Sequence, residues 1–149
     1  MKKIALVIPI IIISLSFYFC EKDNPTADKG NLVELKIPVA TYKYTGYDSM
    51  GVKIITGWIE FLFEDSTDIT GRWELDKIGD PQNIGPQVGS GYLVGSLENH
   101  QLFLNLNPEY VDNNVFLICP YDDQKLTGKW NYSGFPGIIN HGTFVAEKK

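Results

Sequence analysis

From Leu32 onward, apolar and polar residues alternate at a period of two, and clusters of Gly, Pro, Asn and Asp cut the alternation into short runs. Successive side chains of a strand point to opposite faces, so this pattern predicts sequential antiparallel strands, each with one buried face. Val33, Leu35, Ile37 and Val39 predict the first strand, with a turn over 46–51. Ile55, Gly57, Ile59, Phe61 and Phe63 share one face of the second. Ile69, Gly71, Trp73 and Leu75 alternate with Thr70, Arg72, Glu74 and Asp76 in the third, and a longer loop over 79–89 carries Pro81 and Pro86. The fourth strand covers 90–97, and Glu98, Asn99 and His100 turn it back. Leu102, Leu104 and Leu106 face inward in the fifth, and residues 115–121 form the sixth. After the turn at Asp122, Asp123 and Gln124, the seventh places Leu126, Gly128, Trp130 and Tyr132 on one face. Residues 133–140 read as a loop and 142–148 as the eighth strand.

No stretch after position 31 keeps a 3.6-residue period over ten residues, which argues against a βαβ fold. The expected class is therefore all-β. Short connections favour an eight-stranded antiparallel up-and-down meander, and closing it into a barrel satisfies its outer edges. Eight strands enclose a space that side chains fill or that holds one small ligand.

Upstream the pattern changes in kind. Lys2 and Lys3 precede an apolar run over 4–19, shorter than the ~20 residues of a membrane span and laid out like a secretory signal. Cys20 ends that run, and Glu21, Lys22, Asp23, Asn24 and Pro25 follow at once. This arrangement resembles the type II signal of bacterial lipoproteins. In that family the Cys is diacylated and becomes the mature N-terminus. The resemblance implies a signal peptide over 1–19, lipidation of Cys20, a polar tether over 20–31 and a barrel domain over 32–149. It also implies a cell-envelope protein held by lipid at the outer membrane or on the periplasmic face. Phe19 stands where the family prefers a small residue, which leaves two other fates open. Ordinary cleavage after Ser16 would make the protein secreted or periplasmic, and an uncut segment would be an N-terminal anchor.

Charge sharpens this picture. The whole chain carries −5, but without Lys2 and Lys3 the remainder has 11 basic and 18 acidic residues, a charge of −7. Such a surface repels phosphate backbones, so nucleic acid is not an expected partner. With Cys20 lipidated, Cys119 is a lone thiol among apolar neighbours, expected to be buried and inert.

All three tryptophans follow a Thr-Gly pair, in Thr56-Gly57-Trp58, Thr70-Gly71-Arg72-Trp73 and Thr127-Gly128-Lys129-Trp130. A strand glycine permits a sharp bend and leaves space for a neighbouring ring. In the two Gly-x-Trp copies both residues project to the same face, whereas Trp58 points to the face opposite Gly57. Gly-x-Trp in an eight-stranded meander resembles the lipocalin and avidin barrels (calycins), and Leu126 to Trp130 followed by Gly142, Thr143 and Phe144 is similar to an avidin-type opening hairpin. The resemblance implies a lipocalin-like barrel. Two roles follow for the aromatics. Trp73 and Trp130 plug one end, or Trp58, Trp73, Trp130 and Tyr132 line a pocket for a small apolar ligand.

Other chemistry is sparse. His100 and His141 are isolated, so no metal site and no Ser-His-Asp triad is expected. Asp112, Asn113, Asn114, Asp122 and Asp123 read as turn residues. Glu60 and Glu74 are carboxylates on neighbouring strands, read as solvated charge. No Gly-rich phosphate loop precedes a helix, and neither enzyme activity nor a cofactor is expected. The function expected from sequence is a membrane-anchored lipoprotein with a small hydrophobic ligand in its barrel. The alternative is a structural or protein-interaction lipoprotein with a filled core.

Overall fold

The computed structural model describes residues 39–64 and 68–149, except the side chains of Phe63 and Glu64. Eight strands follow one another: β1 (Ala40–Asp48), β2 (Lys53–Glu64), β3 (Ile69–Lys77), β4 (Gly89–Glu98), β5 (Gln101–Asn105), β6 (Asn113–Pro120), β7 (Lys125–Gly134) and β8 (Gly137–Lys148). Each pairs antiparallel with its predecessor, and β1 pairs with β8 from Tyr42 opposite Lys148 to Asp48 opposite Gly142. Every described strand thus has a partner on both sides, and the sheet is a closed barrel. No helix interrupts it among the described residues.

The alternation seen in the sequence selects what faces inward. In β3, Ile69, Gly71, Trp73 and Leu75 are buried and their neighbours exposed. Leu102 and Leu104 of β5, Val115, Leu117 and Cys119 of β6, and Phe144 and Ala146 of β8 continue the core around the barrel. Asn99 and His100 both take positive φ, 50° and 64°, the geometry of a tight hairpin turn whose twist matches the flanking strands. At Asp122 the carboxylate accepts the amide of Gln124 at 2.8 Å, so the predicted turn there is an Asx turn.

Two expectations need correction. The first barrel strand of the structure is 40–48, where the alternation of Tyr42 and Tyr44 with Lys43 and Thr45 carries the inward face. The strand expected over 33–39 lies outside the described residues except for Val39, which is exposed. The stretch 133–140 is no loop: β7 runs to Gly134 and β8 starts at Gly137, joined by the tip Phe135-Pro136. Its glycines and proline mark a hairpin tip, and a register shift between Tyr132 and Ser133 lets the pairing continue past the irregularity.

Strand direction gives the barrel two ends. The chain enters at one, beside the β2–β3, β4–β5 and β6–β7 connections. The opposite, loop end carries the β1–β2, β3–β4, β5–β6 and β7–β8 connections.

Candidate functional site

The two Gly-x-Trp copies build the same buried device twice. Trp73 of β3 lies over Gly91 of β4, and its indole N–H donates to the carbonyls of Leu106 at 2.7 Å and Tyr92 at 3.2 Å. Trp130 of β7 lies over Gly142 of β8 and donates to the carbonyl of Tyr47 on β1 at 2.8 Å. Each ring needs the glycine beneath it. A methyl at Gly91 would come 2.8 Å from Cζ2 of Trp73, and one at Gly142 would come 2.6 Å from Nε1 of Trp130. One device takes in β3, β4 and the residue that follows β5, the other β7, β8 and β1, so the devices stand half a barrel apart. Registers extend the correspondence: Trp58 faces Glu74 and Arg72 faces Tyr92, while Phe116 faces Asn131 and Lys129 faces Thr143.

Aromatic and aliphatic side chains fill the space between these devices. Tyr42, Tyr44, Ile55, Ile59, Phe61, Leu75, Leu102, Val115, Leu117, Leu126, Trp130, Phe144 and Ala146 have no surface open to a water-sized sphere, whether in solvent or in a cavity. Tyr44 and Phe144 stack with centroids 5.6 Å apart, and Tyr42 tilts against Phe61 at 5.3 Å. The barrel is solid at these side chains, and a ligand inside it would have to displace them.

The β3–β4 loop closes the loop end. Ile84 and Gln87 are buried, and Gly85 packs on the ring of Tyr132, which itself lies partly buried against the core. Gln87 donates from Nε2 to the carbonyl of Ile84 at 2.8 Å, and its Oε1 accepts the hydroxyl of Tyr44 at 3.4 Å. The only fully buried polar side chain of the loop is therefore paired on both sides, which suits a fixed plug better than a gate. At the entry end, the hydroxyl of Tyr42 donates to the carbonyl of Asp123 at 3.1 Å. Burial pushes the hydroxyls of Tyr42 and Tyr44 well above the usual phenol range, and it raises the Cys119 thiol to about 12. A thiol held protonated is a poor nucleophile.

The expected aromatic wall therefore divides. Trp73, Trp130 and Tyr132 lie on the inner side, the first two pinned and the third under the plug. Trp58 is half-buried on the outer surface. There it helps line a depression of about 320 Å³ with Arg72, Trp73, Glu74, Ser90, Gly91 and Tyr92. A second depression, of about 390 Å³, shares four of these residues and extends to Pro86, Pro108, Glu109 and Tyr110. Glu60 and Glu74 both face outward, and Glu60 is held by Arg72 at 2.8 Å. His100 and His141 lie towards opposite ends, and among the described residues no group of three or more His, Cys, Asp or Glu is placed to hold a metal ion. Cys20 lies outside the described residues.

A feature that sequence reasoning missed sits at the loop end. All four connections there expose apolar side chains: Met50 and Val52, Ile78 and Val88, Tyr110 and Val111, and Phe135 with Ile138 and Ile139. Phe135 and Val111 are 91% and 92% exposed, so they pack on almost nothing. The entry-end turns carry Glu98, Asn99, His100, Asp122, Asp123 and Gln124 instead. The signal was present in turns that hold hydrophobic residues where polar ones suffice, but only the topology gathers them at one end.

Compared with models of known families, with curated proteins and with solved structures, the chain matches none.

Proposed function

We propose that this protein is an extracytoplasmic lipoprotein, anchored through Cys20, whose lipocalin-like barrel is a solid scaffold that docks a partner protein at its loop end. The observation that carries the reading is the set of four connections that expose apolar side chains around a plugged mouth. Apolar side chains gathered at one end of a domain and left open to water are costly, and such surfaces mark interaction sites. The inner face, by contrast, is occupied by its own side chains. A lipid on Cys20 fits this arrangement, since β1 begins at the barrel end opposite the apolar tips. The charges at the loop end are Asp48, Lys53, Lys77, Asp80, Glu109 and Asp112, and Lys77 is spent on Asp80 at 3.0 Å. This acidic balance disfavours insertion into an anionic lipid surface, which calls for Lys or Arg beside the apolar tips. No catalytic group, metal or cofactor enters the proposal.

A photo-crosslinking amino acid placed at position 111 or 135 of the full chain, in its native envelope, tests docking. Discrete protein adducts at both positions and none at position 99 are expected. Equal labelling at all three, or none at 111 and 135, would overturn it. The anchor is tested in parallel by Cys20→Ser, which should remove the acyl mass and release the protein from membranes.

A further inference from the structure

We infer that the groove running across the outside of β2, β3 and β4, from Trp58 past Tyr92 to Tyr110, binds an extended polypeptide segment that carries proline and a basic residue. The groove is the union of the two adjoining depressions, which share Trp73, Ser90, Gly91 and Tyr92. Tyr92 stands 67% exposed in the middle of a paired strand, and Tyr110 is exposed beyond it. Pro86 and Pro108 form the walls nearest the mouth.

Geometry and charge select the occupant. Neighbouring strands lie about 4.8 Å apart and residues about 3.4 Å apart along each strand. Trp58 faces Glu74, Glu74 faces Ser90, and Tyr92 is two residues beyond Ser90. The two aromatic positions are thus roughly 12 Å apart, the reach of about four residues of polyproline II at 3.1 Å each. At the groove, Gly89–Leu93 of β4 pairs with β3 and not with β5, but the carbonyl of Tyr92 already accepts the indole N–H of Trp73, which disfavours extension of the sheet there. The spaced rings and the proline walls suit docking of a preformed extended helix. Arg72 is neutralised by Glu60 at 2.8 Å, whereas Glu74 and Glu109 have no ion pair among the described residues. The groove is therefore acidic on balance, complementary to Lys or Arg and repulsive to phosphate. It is also fixed in advance: Trp73 holds the backbone of Tyr92 and Leu106 together through its indole N–H, which lowers the ordering cost of binding.

The inference goes beyond loop-end docking and rests on different residues, apart from Glu109 and Tyr110 at the junction. The test uses detergent-solubilised full chain and a panel of fluorescent proline-rich dodecapeptides bearing arginine, read by polarisation. At least one should bind below millimolar concentration, while its arginine-to-glutamate counterpart should not. Tyr92→Thr, which installs the residue found at the corresponding place in the other half of the barrel, should weaken binding at least tenfold with an unchanged melting temperature. Glu74→Gln with Glu109→Gln should weaken it several-fold and flatten its salt dependence. No binding by any panel member, equal binding of the acidic counterpart, or indifference to Tyr92→Thr would overturn the inference. A glycan oligomer that binds where every peptide fails would overturn it as well. Cross-linking at positions 111 and 135 that survives such a failure would leave docking standing and remove the groove alone.

Discussion

A solid interior has a measurable consequence at Phe144. This ring is fully buried on β8, stacked on Tyr44, and the residues paired with it on both sides are glycines, Gly46 on β1 and Gly128 on β7. Neither glycine has a side chain that can move into the space, so Phe144→Ala should leave a cavity that relaxes little. Truncations of this kind cost about 3–5 kcal/mol, and poor relaxation places this one in the upper part of that range. For a domain of roughly 110 residues each kcal/mol is worth about 4 °C, so the melting temperature should fall by about 15–20 °C. The assay is thermal unfolding followed by near-ultraviolet circular dichroism, with and without benzene. An apolar cavity stays dry and takes up such a probe. At a hundredfold excess over its dissociation constant, benzene should return about 2.7 kcal/mol, roughly 10 °C, to the variant and nothing to the native protein. Phe144→Leu is the fallback if the alanine variant does not fold, with a smaller loss and a smaller rescue. A native protein that benzene stabilises as strongly as the variant would refute the solid barrel. So would a loss below about 1 kcal/mol in Phe144→Ala.

Two further outcomes follow from the buried groups. Gly142→Ala drives a methyl into the Tyr47 carbonyl and to 2.6 Å from Nε1 of Trp130, so the indole must leave its acceptor. Overpacking and an unpaired buried donor together should cost about 2–4 kcal/mol and red-shift tryptophan emission, and an unshifted spectrum would count against the pinning. The Cys119 thiol, ordinarily near 9 and raised to about 12 by burial, keeps its proton in the fold where the unfolded chain loses it. Stability should therefore fall as pH rises from 9 towards 12, by up to about 1.4 kcal/mol per pH unit, and the buried hydroxyls of Tyr42 and Tyr44 should steepen the fall above 10. Urea melts between pH 7 and 10.5 should show Cys119→Ala losing the part of the slope that begins at 9; identical slopes would contradict the assignment.

The sequence yields the barrel because strand periodicity is a local property. In β3 every inward residue follows from alternation alone, and the turns at Asn99 and Asp122 follow from residue chemistry. The position of β1 was less legible, since Thr41 to Tyr47 contains tyrosines whose phenol ends read as polar and whose rings act as core. The hairpin tip at Phe135 was hidden for the opposite reason, as Gly134, Pro136 and Gly137 suppress the strand signal on either side of one tight turn. For the aromatic cluster, period-two reasoning correctly separates Trp58 from Trp73 and Trp130. It cannot say that Tyr132 lies beneath a loop 47 residues earlier in the chain, because that contact is made by Gly85. Filled and hollow barrels share one alternation. What distinguishes them here is the size of the inward residues and the plug that reaches Tyr44 through Gln87.

The half-barrel correspondence supplies an internal control for what the fold demands and what it does not. Where packing decides, the halves agree: Gly71 and Gly128 approach the neighbouring strand closely, Trp73 and Trp130 cross a glycine, and each indole finds a carbonyl one strand further on. On the outside the agreement ends. Tyr92 corresponds to Thr143, Glu74 to Asn131, and the Glu60–Arg72 ion pair to Ile118 and Lys129. A scaffold that folds with threonine and asparagine at these places on one side has no structural need for tyrosine and glutamate on the other. Most exposed strand positions tolerate substitution within ~0.5 kcal/mol, so an exposed aromatic beside an unpaired acid is better explained by something that binds it than by stability. The solid interior points the same way. With the inner face committed to packing, the outer wall and the loop tips are the surfaces left for the recognition proposed above, and it is there that the two halves differ.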